Sequence, residues 1–220
     1  MASSPPTQLP RRTEVPEVVV ARLPQYVRIL SRLLEDHVDV VSSQQLGEKL
    51  QVTPAQIRKD LSYFGRFGKQ GRGYSVNSLL ERLRQILGLN SNWNVAVVGV
   101  GRLGRAIISY PGFTPDGFRL VAAFDANPAV IGDSVGDLKI SPMDDLKDMV
   151  ARQQISIAIV AVPAEKTQEV VDLLTACGVR AILNYAPIAP QVPGGVRIRN
   201  IDPVISLQSM TYYLSGSDNR

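Results

Sequence analysis

Three glycines, Gly99, Gly101 and Gly104, have the spacing of a dinucleotide-binding loop. The apolar run before them predicts a strand and the residues after them predict a helix, which is the context that such a loop requires. Gly99 permits a tight turn, Gly101 lets backbone N–H groups approach a pyrophosphate, and Gly104 lets the helix pack closely on the strand. The start of the helix would add positive potential near the phosphates. The predicted cofactor loop is completed by Val100, Arg102 and Leu103.

An acidic residue, Asp125, ends the next predicted strand, where a carboxylate can accept hydrogen bonds from adenosine ribose hydroxyls. The same carboxylate would repel a 2′-phosphate, and Ala126 and Asn127 bring no positive charge, so the pattern favours NAD(H) over NADP(H). The alternative is that Asp125 caps a helix or a turn. Other residues that follow predicted parallel strands belong to the same edge of the sheet and are further cofactor candidates: Val162, Pro163, Asn184, Tyr185 and Ala186.

Groups suited to catalysis are sparse around this site, and the sequence predicts no catalytic residue. The only histidine, His37, lies in the front half, and Lys166 and Tyr185 form no evident acid–base pair. The single cysteine, Cys177, excludes a disulfide framework and a multi-cysteine metal site, and no metal is expected. Two alternatives stay open: an NAD-dependent oxidoreductase with an accessory helical domain, and a nucleotide-binding interaction module for CoA or ADP.

A second group of residues suited to binding lies upstream. Capping boxes formed by Ser42 with Gln45 and by Thr53 with Gln56 are predicted to start two short helices, and Pro54 suits the first position of the second one. The two helices are separated by three residues, which predicts a helix-turn-helix. Arg and Lys on its second helix can donate to guanine, Gln suits adenine, and a glycine-rich basic hairpin after it can approach phosphates. The predicted DNA-binding residues are Gln56, Arg58, Lys59, Ser62, Arg66, Lys69 and Arg72. The alternative is a protein-interaction module with a solvated basic face.

Charge is distributed unevenly along the 220 residues. Residues 22–90 hold eleven Lys and Arg against six Asp and Glu, whereas residues 91–220 hold eleven against twelve. A basic front half joined to a near-neutral back half suggests that the front half meets a polyanion. The Pro- and Ser-rich start lacks the apolar stretch of a signal peptide, and no apolar run reaches membrane-spanning length, so a cytoplasmic protein is expected.

Periodicity predicts an α/β protein in which the front half is helical and the back half alternates strands with helices. The predicted helices are 24–36, one starting near Ser42, one from 53 to about Phe64, 78–87 capped by Ser78 and Glu81, one reaching about Tyr110, 141–152, 164–177 and 203–214. A hairpin is predicted at about 65–76, and strands at 94–98, 118–124, 155–162, 179–183 and 196–199. The predicted domains are a flexible tail 1–20, a DNA-binding domain 21–90, a Rossmann doubly wound parallel-sheet domain 91–200 and a C-terminal segment 201–220.

The chain resembles the Rex family of bacterial redox-sensing repressors from about Pro16 to Leu214. The resemblance is carried by LPQYVRIL, SSQQLGEKLQVTPAQIRKDLSYFG, FGKQGRGY, VVGVGRLGRAI, AFDANP, VAVP, ILNYAPI and IRNID. It implies a winged-helix domain, a Rossmann domain that binds NADH or NAD, and a homodimer in which the C-terminal helix is exchanged between subunits. It also implies that the dimer binds a pseudo-palindromic operator and that NADH releases it.

The resemblance further assigns roles to individual residues. Arg58 and Lys59 match the basic pair of the recognition helix. Arg28, Tyr110 and Asp202 match family residues that link the DNA-binding domain to the nicotinamide side of the cofactor site and to the closing movement of the dimer. Tyr110 is therefore also a candidate for contacting the cofactor. Two positions depart from the family pattern: Gln70 stands where an Arg is usual in the wing, and Pro203 stands where relatives can carry an aromatic residue.

Overall fold

The computed structural model describes residues 15–68 and 72–215. The chain divides into two compact units, and the division falls between Ser91 and Asn92. None of the described helices is both long and apolar enough to cross a membrane. Each unit has its own apolar core, so the two are described separately.

The first unit is helical with a small two-stranded sheet. Its elements are α1 (Glu17–Glu35), β1 (Val40–Val41), α2 (Ser43–Leu50), α3 (Pro54–Ser62), β2 (Tyr74–Ser75) and α4 (Val76–Leu87). The long α1 buries a stripe at helical spacing that includes Leu23, Val27 and Leu30, and α4 adds Leu79 and Leu83 to the same core. This core fixes the helices that carry the predicted DNA-binding residues.

The helix-turn-helix is set by local signals that the sequence predicted. Ser42 and Gln45 form a reciprocal capping box at the start of α2, and the Thr53 hydroxyl accepts from the Gln56 backbone N–H at 3.2 Å at the start of α3. A Cβ on Gly47 would lie 2.5 Å from the Val52 carbonyl oxygen, so the turn can fold back on α2 only because this residue is glycine.

Two predictions for the first unit, the length of its tail and its hairpin, are wrong in detail. The predicted tail 1–20 is too long, because α1 begins at Glu17 directly after Pro16 and buries Val19. The predicted hairpin at 65–76 does not supply the partner strand of β2. Tyr74 and Ser75 pair antiparallel with β1, which lies more than thirty residues earlier in the chain.

The caps of two helices also differ from the prediction. Ser75, not Ser78, caps α4, because its hydroxyl accepts from the Ser78 backbone N–H. The capping box expected at Thr53 is one-sided, since the Gln56 side chain bonds Asp60 instead.

The second unit is a seven-stranded sheet flanked by helices. Its strands are β3 (Trp93–Val98), β4 (Phe118–Asp125), β5 (Ser134–Val135), β6 (Leu138–Pro142), β7 (Ile157–Val160), β8 (Ala181–Asn184) and β9 (Arg197–Asn200). Its helices are α5 (Arg102–Ile108), α6 (Leu146–Arg152), α7 (Ala164–Ala176) and α8 (Pro203–Ser215), with short 3₁₀ segments at Pro111–Asp116 and Met143–Asp145.

The strand order is β5-β6-β4-β3-β7-β8-β9, and all neighbours are parallel except β5 and β6. This is the doubly wound Rossmann order with one short antiparallel edge strand, and the chain reverses direction of winding between β3 and β7. The expected helix 141–152 is wrong at its start: Ser141 and Pro142 extend β6, which pairs with β4 through Ala123 and Ile140.

Candidate nucleotide site and DNA-reading helix

The glycine loop lies where β3 ends and α5 begins, at the carboxyl edge of the sheet. Gly99 has a φ of 91°, and a Cβ there would lie 2.5 Å from the Ala161 carbonyl oxygen. A Cβ on Gly104 would lie 1.9 Å from the Gly99 carbonyl oxygen, whereas one on Gly101 would meet nothing within 4 Å. Two of the glycines are therefore required by the protein's own packing, and the third leaves open space beside the backbone.

Residues between the glycines divide between core and surface. Val100 is buried against Ala123 and Ile140, whereas Arg102 and Leu103 are exposed at the first turn of α5. The loop thus presents backbone and two side chains outward while Val100 anchors it.

Asp125 ends β4 beside this loop and holds it in place. One carboxylate oxygen accepts from the Val100 backbone N–H at 2.7 Å, and the other accepts from the Asn127 backbone N–H at 2.8 Å. The second bond is the turn-capping role that the sequence left as an alternative. Each carboxylate oxygen has two lone pairs, so both oxygens keep capacity for a further donor.

The ends of β7 and β8 complete the same edge. The Val162 side chain lies against Gly99, since a Cβ on Gly99 would be 2.8 Å from Val162 Cγ1. Pro163 is exposed directly before α7. Tyr185 donates its backbone N–H to the Val160 carbonyl at 2.9 Å and packs its ring, partly buried, in the cluster of Ile107. The edge therefore brings together the segments that the sequence predicted.

Asn184 and Ala186 lie at this edge but face inward. Asn184 is completely buried; its amide donates to the Ile188 carbonyl and to Asn200, and its carbonyl oxygen accepts from the Ala186 backbone N–H. The Asn184 side chain is fully used within the protein, so it shapes the loop after β8 rather than presenting itself at the surface.

The three residues of the predicted switch lie at separate places in the two units. Arg28 is exposed on α1. Tyr110 is 60% exposed just beyond the carboxyl end of α5, opposite to the glycine loop, and its ring packs edge-on against Phe113. Asp202 accepts from the Val204 backbone N–H at 2.9 Å and so caps α8.

The second helix of the helix-turn-helix, α3, presents a basic surface. Arg58 and Lys59 are exposed, and the Arg58 guanidinium donates to the Ser43 hydroxyl at 3.0 Å. Ser62 is exposed, but its hydroxyl donates to the Lys59 carbonyl. Arg66 and Arg72 are exposed in the segment between α3 and β2. The predicted contact Lys69, and Gln70, which departs from the family pattern, lie outside the described residues.

A buried acid on α3 is the main feature that the sequence did not reveal. The Asp60 side chain is 0% exposed and accepts from Arg22 Nε and Nη2, each at 2.7 Å, from the Tyr26 hydroxyl and from Gln56 Nε2 at 2.6 Å. Gln56 was predicted to face outward, but its amide nitrogen is directed to Asp60, because a buried carboxylate must be hydrogen-bonded. Arg22, Tyr26 and Asp60 were not predicted as functional residues.

The protonation of these groups follows from their contacts. Burial alone would raise the pKa of Asp60, but the hydrogen bonds from Arg22, Tyr26 and Gln56 outweigh it and lower the pKa below its ordinary value. Burial, followed by the hydrogen bond to Asp60, raises the pKa of Tyr26, so the phenol keeps its proton and acts as a donor.

This lowered pKa predicts acid sensitivity of the first unit. Because the pKa of Asp60 is lower in the folded state, its stabilisation is complete above about pH 4 and is lost as the pH falls through the folded-state pKa. We expect the unfolding temperature of Asp60→Asn to fall less than that of the parent between about pH 6 and about pH 3. Exposed Asp36→Asn is the control; an acid response of Asp60→Asn as steep as the parent's would contradict the assignment.

Comparison with known proteins covers both units. A family model described as "Putative DNA-binding protein N-terminus" matches residues 14–62, and one described as "CoA binding domain" matches residues 90–188. The Redox-sensing transcriptional repressor Rex of Chloroflexus aurantiacus is 56% identical over 200 residues, 91% of this chain and 94% of that protein.

Solved structures agree with these sequence comparisons. A crystal structure of RSP in complex with β-NAD+ and operator DNA is similar with a TM-score of 0.89 and 39% identity, over 94% of this chain and 95% of that one. A structure of RSP in complex with β-NADH has a TM-score of 0.85 and 37% identity, over 94% and 97% of the two chains.

A winged-helix unit followed by a Rossmann unit with an open glycine loop defines a transcription regulator that carries its own nucleotide-binding domain. Within that class, the chain belongs to the Rex family of redox-sensing transcriptional repressors. The predicted family and fold class are thereby confirmed, and the regulator interpretation is supported over the oxidoreductase alternative, because the relatives are named repressors.

Proposed function

We propose that this protein represses transcription by binding operator DNA as a homodimer and that NADH releases it, so that it senses the NADH/NAD+ ratio. The observation that carries the proposal is the match over 94% of the chain to a repressor solved with β-NAD+ and operator DNA. The geometry of both units supports it.

The glycine loop suits a pyrophosphate. A Cβ on Gly101 would meet no atom within 4 Å, whereas Gly99 and Gly104 are closely packed. A pyrophosphate could therefore approach the backbone N–H groups at one point of an otherwise tightly packed loop. Arg102, Leu103, Val162, Pro163, Tyr185 and Ala186 border or support this edge and are proposed to line the cofactor site.

Asp125 is proposed to bind the adenosine ribose by accepting hydrogen bonds from its hydroxyls, using the lone pairs that the two backbone N–H donors leave unoccupied. We expect Asp125→Ala to weaken NADH binding by about 1.5–3 kcal/mol, roughly 10- to 150-fold, because a charged acceptor and the anchor of Val100 are both lost. Fluorescence titration with NADH measures the loss, and operator binding without NADH should stay unchanged.

A matched acid provides the control for this variant. The exposed side chain of Asp133 forms an exposed ion pair with Arg105 at 3.3 Å, so Asp133→Ala should leave NADH affinity at the parent value. Equal NADH affinity in Asp125→Ala and Asp133→Ala, or tighter binding of NADPH than NADH by the parent, would contradict the ribose assignment.

The basic surface of α3 is proposed to enter the major groove. Arg58 and Lys59 would contact bases, and Ser62, Arg66, Lys69 and Arg72 would contact bases or phosphates near the groove. The Arg58 bond to Ser43 is made at the surface, so DNA can replace it without leaving a buried group unpaired.

The last helix supports the homodimer. On α8, Val204, Ile205, Leu207, Met210 and Leu214 are 57% to 71% exposed within one chain. A helix whose apolar residues are exposed to this extent is typical of an interface that a second subunit covers. We propose that α8 is exchanged between the subunits and that no metal is needed for assembly.

The switch is proposed to use Arg28, Tyr110 and Asp202. Asp202 is held near the cofactor edge, since the adjacent Ile201 donates its N–H to the Asn184 carbonyl at 2.7 Å. An exposed tyrosine, an exposed arginine and a carboxylate with spare lone pairs can form alternative pairs as two domains move. Pro203, the first residue of α8, offers no aromatic ring at a position where relatives can carry one.

A mobility-shift experiment with the full chain tests this function. Operator DNA should be bound without nucleotide and with NAD+, and released on addition of NADH but not of CoA. Failure to bind operator under any condition, with NADH bound normally, would contradict the repressor proposal and favour a nucleotide-binding module without a DNA role.

A further inference from the structure

The buried carboxylate of Asp60 fixes how the neighbouring Gln56 can act. Both residues lie on α3, four positions apart, and Gln56 Nε2 donates to Asp60 Oδ1 at 2.6 Å. A carboxylate only accepts hydrogen bonds, so it selects the NH₂ end of the amide. The carbonyl oxygen of Gln56 must therefore face away from Asp60.

Gln56 also remains accessible. Its side chain is half-buried, and Lys59, three positions later and hence on the same side of the helix, is exposed. The edge of the basic face of α3 thus carries a hydrogen-bond acceptor at Gln56 among the donors Arg58 and Lys59.

The orientation is maintained by residues of another helix. Arg22 and Tyr26 of α1 supply three further hydrogen bonds to Asp60, so its carboxylate cannot turn without breaking them. The same bonds tie α3 to α1, and neither Arg22 nor Tyr26 has to touch DNA to influence what Gln56 presents.

We infer that Asp60 is a positioning residue for base readout, which holds the Gln56 amide so that its carbonyl oxygen is offered to an amino group of a base. The inference rests on the proposed function, in which α3 lies in the major groove. The amino groups displayed there are adenine N6 and cytosine N4, whereas thymine O4 and guanine O6 are acceptors. Gln56 therefore selects adenine or cytosine at one position of each half-site.

The test compares operators that carry each of the four base pairs at every half-site position. The parent should prefer adenine or cytosine over guanine or thymine at one position by roughly 5- to 150-fold. Gln56→Leu should abolish that preference, and Asp60→Asn should reduce it because an asparagine no longer dictates which end of the Gln56 amide faces it. Preferences at the other positions should persist, and Gln85→Leu on α4 is the matched control.

Ratios between operators separate positioning from stability, because a smaller folded fraction lowers every affinity equally. If Asp60→Asn does not fold, Arg22→Lys, which keeps the charge but not both hydrogen bonds, and Tyr26→Phe carry the same test. Unchanged ratios in Gln56→Leu overturn the inference. If Gln56→Leu loses the base preference but the folded Asp60, Arg22 and Tyr26 variants keep it fully, Asp60 does not position Gln56 for base readout. A parent that binds no operator overturns the proposed function itself.

Discussion

Replacing Arg58 and Lys59 together with alanine is expected to abolish specific operator binding while NADH binding is retained. Both side chains are exposed on α3, so their loss should not disturb the core of the first unit. A good base contact contributes roughly 1–3 kcal/mol. In the proposed homodimer each substitution acts twice, so the combined loss approaches the advantage of specific over non-specific binding, about 4–10 kcal/mol.

A second double variant separates readout from overall charge. Lys139→Ala with Lys147→Ala removes the same two charges from exposed positions of the second unit and should reduce operator affinity only slightly. Fluorescence anisotropy with operator and with scrambled DNA measures both variants. If the Arg58 and Lys59 variant discriminates operator from scrambled DNA as well as the parent does, α3 is not the reading helix.

Alanine at the glycines of the cofactor loop is expected to have effects of two distinct kinds. At Gly104 the new Cβ would lie 1.9 Å from the Gly99 backbone, so Gly104→Ala should both lower the unfolding temperature and abolish NADH binding. Overpacking of this kind typically costs about 1–3 kcal/mol, and here the obstacle is backbone that cannot rotate away.

At Gly101 the protein leaves room for the methyl group, so the unfolding temperature of Gly101→Ala should match the parent's. NADH affinity should nevertheless fall by at least about tenfold, because the methyl group occupies the space where the pyrophosphate approaches the backbone. Gly194→Ala is the control, because a Cβ there would also meet no atom within 4 Å, and it should change neither the unfolding temperature nor the NADH affinity. Normal NADH affinity in Gly101→Ala would place the cofactor elsewhere.

Local sequence signals predicted much of the architecture. The capping box at Ser42, the Thr53–Pro54 helix start and the glycine spacing depend on residues within about five positions of one another, so they can be recognised without the fold. The continuous apolar runs of β3 and β7 likewise identify strands that are buried on both faces.

Features that depend on distant partners could not be predicted in this way. Asp60 resembles any polar helix residue until Arg22, 38 positions earlier, is brought against it. The pairing of β2 with β1 and of β6 with β4 also joins segments that local propensity does not connect, and the Ser141–Pro142 helix-start signal was overridden by the second of these pairings.

The same distinction applies to the candidate site. The strand ends that form the cofactor edge follow from the parallel topology, so their residues were predicted together. That the Asn184 side chain faces inward follows from its hydrogen bonds to Ile188 and Asn200, which only the folded loop brings near.

NADH and operator DNA are expected to oppose each other in one molecule, and reciprocal titration tests this coupling most directly. Operator affinity is measured across an NADH titration, and NADH affinity is measured with and without operator. We predict that NADH weakens operator binding by roughly 5- to 150-fold and that operator weakens NADH binding by the same factor. Tyr110→Phe and Asp202→Ala should bind both ligands yet show a smaller factor. Operator affinity that stays constant while NADH saturates the protein would contradict the account.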